Sequence, residues 1–146
     1  MRYICLKIML MSFANLLPNL CSGNEEINSL KVSEIISIID GDTFKVNIEG
    51  LPPVFGKNIS IRIANIDTPE LNGKCNQEKN SAKKAKKFTL EHLKSGETIV
   101  LKNPKRGKYF RLITEVYIDD KNLAEELLKA GLAVKYDGGK RKNWCK

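Results

Sequence analysis

Short runs of β-branched and apolar residues, separated by turn residues, most constrain the fold of this chain. Each run is too short for a typical helix, and the alternation in TFKVNI is typical of a strand with one buried face. The runs predict five strands, at 31–39, 43–48, 59–66, 98–103 and 111–118. Strands this short must pack one apolar face against another layer or close into a barrel.

Two further segments have helical spacing. Apolar residues recur at near-helical intervals from 77 to 95, and Gly96 ends the pattern. In NLAEELLKAG, Asn122 is a predicted N-cap with Glu125 as its capping-box partner, and Gly131 stops the helix. A helix inserted after the third strand predicts a small, twisted, partly closed barrel with helices packed at its side.

Length, charge and motifs limit the classes of function that this chain can have. The chain has 146 residues, enough for one domain with a core and too few for two comfortable ones. Its formal net charge of +8 favours encounter with polyanions, such as nucleic acid or an acidic membrane surface. The sequence has no Cys-x-x-Cys pair, no glycine-rich phosphate loop and no serine nucleophile signature. Its one histidine, His92, lies alone in the lysine-rich predicted helix, where a surface role is more usual than a catalytic one.

The first 23 residues have the order of a secretory signal: basic residues, an apolar run at 8–17 and a small-residue end. We therefore predict a signal peptide at 1–23, a secreted or periplasmic location and no stable membrane association after processing. The apolar run is short for a membrane span, and a retained anchor or a weakly hydrophobic helix are the alternatives. The expected order downstream is a polar lead-in at 24–30, one domain at 31–136 and a basic tail at 137–146.

Cleavage after Gly23 would leave both the positive charge and an even number of cysteines in the mature chain. It would remove Arg2 and Lys7 and no acid, so 23 of the 25 basic residues would remain against 17 acidic ones, a net charge of +6. Cys75 and Cys145 would remain, and in an oxidising compartment they could form a disulfide that anchors the tail. Two free thiols are the alternative.

Several residues that could form a chemical site lie within or at the ends of the predicted strands. They are Asp40, Asp42, Arg62, Asp67, Thr68, Glu70 and Arg111. Carboxylate and carbonyl oxygens suit Ca²⁺ or Mg²⁺ rather than zinc. An enzyme of this composition would need a carboxylate as general base, and a metal with guanidinium groups to stabilise developing negative charge. Each part has a structural alternative, since DGD is a common turn in which Gly41 is free to take positive φ, and DTPE is a common helix entry.

Four segments together resemble the thermonuclease, or staphylococcal-nuclease-like, family: DGDTF (40–44), IRIANIDTPE (61–70), KYFRL (108–112) and NLAEELLKAGLA (122–133). The resemblance runs from about Val32 to Tyr136. It implies a mainly β (α+β) fold, a five-stranded barrel like the oligonucleotide-binding (OB) fold with two to three packed helices. It also implies a monomeric, Ca²⁺-dependent phosphodiesterase that hydrolyses DNA and RNA with little sequence preference and leaves 5′-hydroxyl and 3′-phosphate ends.

The resemblance also implies roles for single residues. Calcium would be held by two carboxylates and one backbone carbonyl, those of Asp42, Asp67 and Thr68. Catalysis would depend on a carboxylate that activates water and two guanidinium groups that bind the phosphate: Glu70, Arg62 and Arg111. A guanidinium group suits a phosphate better than an ammonium group does, because it donates two parallel hydrogen bonds.

The loop before Arg111 departs from the family pattern. Phe110 stands where the family commonly has glycine, which leaves the pose of Arg111 open. We expect Lys108 and Tyr109 to contact nucleic acid, although a half-buried tyrosine at a strand end is an equal alternative for Tyr109. Basic residues earlier in this loop, Lys105 and Arg106, are expected at the same rim.

A non-catalytic module that only binds nucleic acid is the alternative function for such a barrel. Domains of that kind can lose their carboxylates and arginines. This chain keeps both sets, and the sequence therefore favours the enzyme.

Overall fold

The computed structural model describes residues 28–145. Its strands are β1 (Ser29–Ile38), β2 (Thr43–Ile48), β3 (Ile59–Ile63), β4 (Ile66–Asp67), β5 (Ile99–Arg106), β6 (Arg111–Ile118), β7 (Lys121–Asn122) and β8 (Val134–Lys135). Its helices are α1 (Pro53–Gly56), α2 (Asn76–Ser95) and α3 (Leu123–Lys129). The predicted signal peptide at 1–23 lies outside the described residues. Among those residues, no helix has the length and apolar composition needed to cross a membrane.

Five strands close into a barrel. They follow the order β3-β2-β1-β5-β6, and a parallel pairing of β3 with β6, with Ser60 opposite Arg111, joins the two ends. Side chains such as Phe44 and Ile61 point inward and are fully buried, and each stabilises the fold by about 1.5–3 kcal/mol. The predicted α+β fold, a five-stranded OB-fold-like barrel with helices at its side, is confirmed.

Several boundaries differ from the prediction. β1 begins at Ser29, within the predicted lead-in, because Ser29 and Leu30 pair with β5. The third predicted strand ends at Ile63, since Asn65 adopts φ 63° and turns the chain. Asp67 therefore lies on the separate strand β4, which pairs with β8. The short helix α1 occupies part of a segment predicted as a loop.

Helix α2 fixes the turn between β1 and β2. The Thr89 hydroxyl, fully buried, donates to the Gly41 carbonyl at 2.6 Å. A Cβ on Gly41 would lie 2.7 Å from Cβ of Ala85 and 3.0 Å from the Thr68 side chain. The expectation of positive φ at Gly41 is wrong, because close packing against the helix, rather than turn geometry, requires glycine here.

The second predicted helix is confirmed as α3. The Asn122 side chain accepts from the Ala124 N–H at 2.9 Å, and Gly131 has φ 68° just beyond the C-terminal end. Glu125 does not complete the expected capping box among the described hydrogen bonds; it lies exposed in the first turn. Leu127 is fully buried, so this helix packs against the barrel.

Cys75 and Cys145 form a disulfide across a sequence separation of 70. Their Cα atoms are 5.9 Å apart, an ordinary distance for such a bond. Cys75 is the N-cap residue of α2, so the bond fastens the basic tail to the start of that helix. Closing a loop of this length contributes about 4 kcal/mol in the chain-entropy model.

We expect Gly41→Ala to lower the free energy of unfolding by about 1–3 kcal/mol, because the added methyl group would collide with α2. Urea unfolding followed by circular dichroism would measure this. Gly139→Ala is the matched control, since its Cβ would meet only the flexible Asp137 side chain, at 3.3 Å. Equal stability of the two variants would contradict the packing argument.

Candidate active site

An arginine in the barrel wall forms the centre of the candidate site. Arg62 lies on β3 between Thr43 of β2 and Ile113 of β6, and its side chain is 14% exposed. Its Nη1 donates to Oδ1 of Asp42 at 2.6 Å, and Nη2 donates to Oδ1 of Asp67 at 3.3 Å. Both carboxylates are almost completely buried. Arg62 therefore forms ion pairs with both carboxylates in a buried environment, where water screens charge least.

Thr68 and Glu70 follow Asp67 directly along the chain. The Thr68 N–H donates to Oδ2 of Asp42 at 3.3 Å, which ties the two acid-bearing segments together. Thr68 Oγ1 is buried and has no hydrogen-bond partner among residues 28–145. The Glu70 side chain is 41% exposed. It lines a cavity of about 720 Å³ that Arg62 and Arg111 also line.

The loop before β6 contributes the remaining predicted residues to this cavity, Lys108, Tyr109 and Arg111. The Tyr109 side chain is 92% exposed, so the half-buried alternative is wrong. Phe110 and Tyr109 adopt φ 56° and 57°, a region that glycine enters more easily. With Phe110 at this position, Arg111 still lines the cavity. Its Nε is buried and finds no hydrogen-bond partner in the described part of the chain.

Two other basic residues of this loop lie elsewhere. Lys105 and Arg106 line a neighbouring groove with Leu30 and Phe55, and the Arg106 guanidinium lies 4.2 Å from the Phe110 ring centroid. Neither residue lines the cavity that Arg111 lines, and their contact with nucleic acid stays a prediction. Both residues lie on strand β5, which pairs with β6 up to the turn, with Arg106 opposite Leu112.

Asp40 adds a further carboxyl group to the cavity. Its Oδ1 accepts from the Asp42 N–H at 3.3 Å. Burial, and then the neighbouring negative charge of Asp42, raises the pKa of Asp40 to about 7. Burial, together with the nearby charge of Asp42, thus makes Asp40 hold its proton more tightly than usual.

Sequence reasoning missed Arg141, which lies in the basic tail and reaches the acids. Its Nε donates to Oδ1 of Asp67 at 2.8 Å and its Nη2 to the same oxygen at 2.5 Å, while Nη1 lies 2.5 Å from Oε1 of Glu70. The hydrogen bond to Asp67 raises the pKa of Arg141 above its ordinary value, so it stays charged. The only feature of the sequence that could have indicated this contact was the nearby Cys145, because a disulfide at that position could anchor the tail.

A model of the family described as staphylococcal nuclease homologue matches residues 60–144. The chain belongs to this family of staphylococcal nuclease homologues. The match covers more than half of the chain and includes Arg62, Asp67, Glu70, Arg111 and Arg141. The matched residues therefore include all of the site except the segment 39–43, which carries Asp42.

Curated relatives of this staphylococcal nuclease homologue are named endonucleases. Endonuclease YncB of Bacillus subtilis is 37% identical over 97 residues, covering 65% of this chain and 43% of that protein. The SPbeta prophage-derived endonuclease YokF of the same organism is 37% identical over 98 residues, covering 65% of this chain and 31% of YokF. An uncharacterized endonuclease of Haemophilus influenzae is 31% identical over 130 residues, covering 89% of this chain and 65% of that protein.

The acids of this staphylococcal nuclease homologue fit a hard cation. Asp42 and Asp67 are buried carboxylates joined through Thr68, and all three hydrogen bonds to Asp67 reach one oxygen, Oδ1. The unpartnered Thr68 Oγ1 shows that the hydrogen bonding around them is incomplete. Oxygen donors of this kind suit Ca²⁺ or Mg²⁺.

A second cluster of metal-ligand residue types does not fit a metal. The ligand atoms of Cys75, Glu78 and Cys145 lie within 4.8 Å of one another. The two sulfur atoms are bonded to each other, so neither is a thiolate that could bind an ion. The acids around Arg62 form no such group of three in the described part of the chain, because guanidinium groups lie among them.

We expect Arg62→Ala to lower the free energy of unfolding of the metal-free protein by about 3 kcal/mol, since it leaves buried Asp42 without its cation. Chemical unfolding in the presence of a chelator would measure this. Arg106→Ala removes the same charge from an exposed position and should change stability little. A similar small loss for both variants would show that the Arg62 ion pairs do not stabilise the barrel.

Proposed function

We propose that this chain is a Ca²⁺-dependent nuclease that hydrolyses phosphodiester bonds of DNA and RNA with little sequence preference. One observation carries the proposal: Arg62 and Glu70, from one segment, and Arg111, about 40 residues later, line one cavity directly beside the buried carboxylates of Asp42 and Asp67. The names of the curated endonucleases support the same activity.

In this proposal, Asp42, Asp67 and the Thr68 carbonyl hold the calcium ion. When bound, the ion would offset the negative charge of the phosphate and stabilise the charge that develops on it. The resemblance of IDTPE to the family pattern and the burial of both carboxylates favour these ligands.

Glu70 is the proposed general base. Its carboxylate is partly exposed and lines the cavity, where it can take a proton from the attacking water. Water adds to phosphorus while the bond to the 5′-oxygen breaks and that oxygen takes up a proton from solvent, which leaves a 5′-hydroxyl and a 3′-phosphate. Arg62 and Arg111 donate hydrogen bonds to the phosphate oxygens, and the unpartnered Nε of Arg111 is one such donor.

Substrate contacts extend along the loop before β6. Tyr109 presents nearly its whole ring to solvent, as expected of a residue that stacks on a base, and Lys108 lies beside it for the backbone. We infer that the protein acts as a monomer and that Tyr109 stacks on locally unpaired bases of its substrate, since stacking requires an unpaired base. Contacts of this kind read the backbone and the stacked base rather than a sequence.

Digestion of plasmid DNA and of single-stranded RNA tests the proposal. The wild-type protein should cleave both with Ca²⁺ and neither with excess chelator. Glu70→Gln should lower the cleavage rate by about 100-fold or more because the base is lost, while Glu125→Gln, the same change on an exposed helix position, should not. The cleaved 5′ ends should accept phosphate from a polynucleotide kinase without prior dephosphorylation.

Cleavage that persists in chelator would contradict the metal requirement. Retarded migration of nucleic acid without any cleavage would favour the non-catalytic binding module instead. Equal activity of the Glu70 and Glu125 variants would remove Glu70 from the mechanism.

We also propose that the chain is exported and processed after Gly23. The basic start, short apolar run and small-residue end of 1–23 support this, as does the disulfide, since such bonds persist in oxidising compartments. Mass spectrometry of protein recovered from the producing cells should give a chain that begins at Asn24. A mass that still includes 1–23 would contradict processing.

A further inference from the structure

Arg141 makes the most extensive contact in the site that the proposed reaction does not use. Its guanidinium group bonds at once to Asp67, a proposed calcium ligand, and to Glu70, the proposed base. All three of its nitrogen atoms are engaged. The side chain is 44% exposed, so it reaches the acids from outside the barrel rather than from the core.

The tail that carries Arg141 is held at both ends. It leaves β8, whose residue Val134 pairs with Asp67 itself, and the Tyr136 N–H donates to the Asn65 carbonyl at 3.0 Å. Four residues beyond Arg141, Cys145 is bonded to Cys75 at the start of α2. A short segment fastened on both sides keeps its guanidinium group near the acids, because little chain entropy is lost when it binds them.

A divalent cation bound to Asp67 would compete with Arg141 for the same carboxylate. Oδ1 of Asp67 already accepts hydrogen bonds from Arg62 and from two nitrogen atoms of Arg141. An ion bound to Asp67 would face a guanidinium group within ion-pair distance, and like charges so close repel strongly where little water screens them. Arg141 must therefore move before the ion can bind fully.

We propose that Arg141 is an internal counter-cation of the metal site, which neutralises Asp67 and Glu70 in the metal-free protein and is displaced by the bound divalent ion. This inference rests on the proposed function, because it takes Asp67 as a calcium ligand and Glu70 as the general base. Arg141 thereby weakens metal affinity and stabilises the empty site. It also occupies Oε1 of Glu70 until the ion is bound.

Calorimetric titration of the purified, disulfide-bonded protein with Ca²⁺ alone, without nucleic acid, tests this inference. Arg141→Ala should lower the calcium Kd by about three- to tenfold relative to wild type, as expected for loss of one partly exposed competing charge. Lys140→Ala is the matched control: it removes the neighbouring charge of the same tail, and among the described residues Lys140 forms no ion pair. Its Kd should lie within about twofold of wild type.

Thermal unfolding provides a second readout, independent of both titration heat and activity. In chelator, Arg141→Ala should melt below wild type, because Asp67 loses a partner. Saturating calcium should then raise its Tm more than it raises that of wild type, since a ligand stabilises in proportion to the logarithm of its affinity. Arg141→Gln, which keeps a hydrogen-bonding group without the charge, should behave the same way and serves if the alanine variant folds poorly.

The outcomes separate this inference from the proposed function. Equal calcium affinity of wild type and Arg141→Ala, with calcium-dependent cleavage intact, overturns only the role of Arg141. Weaker binding by Arg141→Ala also overturns it, as does an equal gain from Lys140→Ala, which would indicate a general charge effect. Absence of calcium binding by wild type and variants alike overturns both the inference and the calcium site.

Discussion

The burial of two carboxylates beside one guanidinium group is the interaction on which the site depends. Removing a carboxylate from water is unfavourable by several kcal/mol, and Asp42 and Asp67 are both almost completely buried. Arg62 reaches both because β3 is paired on either side, to β2 and to β6. The strand that closes the barrel thus carries the cation that allows the acids to stay inside. Barrel closure and the formation of the acid site are one structural event.

Helix α2 links the two segments that approach these acids from outside β3. Near its middle, Ala85 and Thr89 hold the turn at Gly41, immediately before Asp42. At its start, Cys75 holds the tail through the disulfide. One rigid element therefore determines the position of a proposed metal ligand and of the guanidinium group that competes with the metal. A disturbance of the helix would alter both sides of the site together.

The cavity combines charges of both signs in a way that suits a metal-assisted reaction on a polyanion. Its carboxylates require cations, and its arginines require anions or acids as partners. Arg111 offers a buried Nε without a partner, and Tyr109 an exposed ring. The overall charge of +8 would favour approach of a nucleic acid to this surface. A protein that only bound nucleic acid would not need a carboxylate such as Glu70 in this cavity.

The sequence by itself determined the five strands of the barrel and the helices α2 and α3, because hydrophobic periodicity and capping are local properties. It also determined the family, because IDTPE is a specific motif. It also indicated Arg62, an arginine within an otherwise apolar strand. Only the tertiary structure decided how these parts meet. The contact of Arg141 with Asp67 joins residues 74 apart in sequence, and no local pattern encodes it. The requirement for glycine at position 41 likewise arises from a helix that packs against it much later in the chain. Such constraints depend on which distant surfaces come into contact, and that is settled only when the barrel closes.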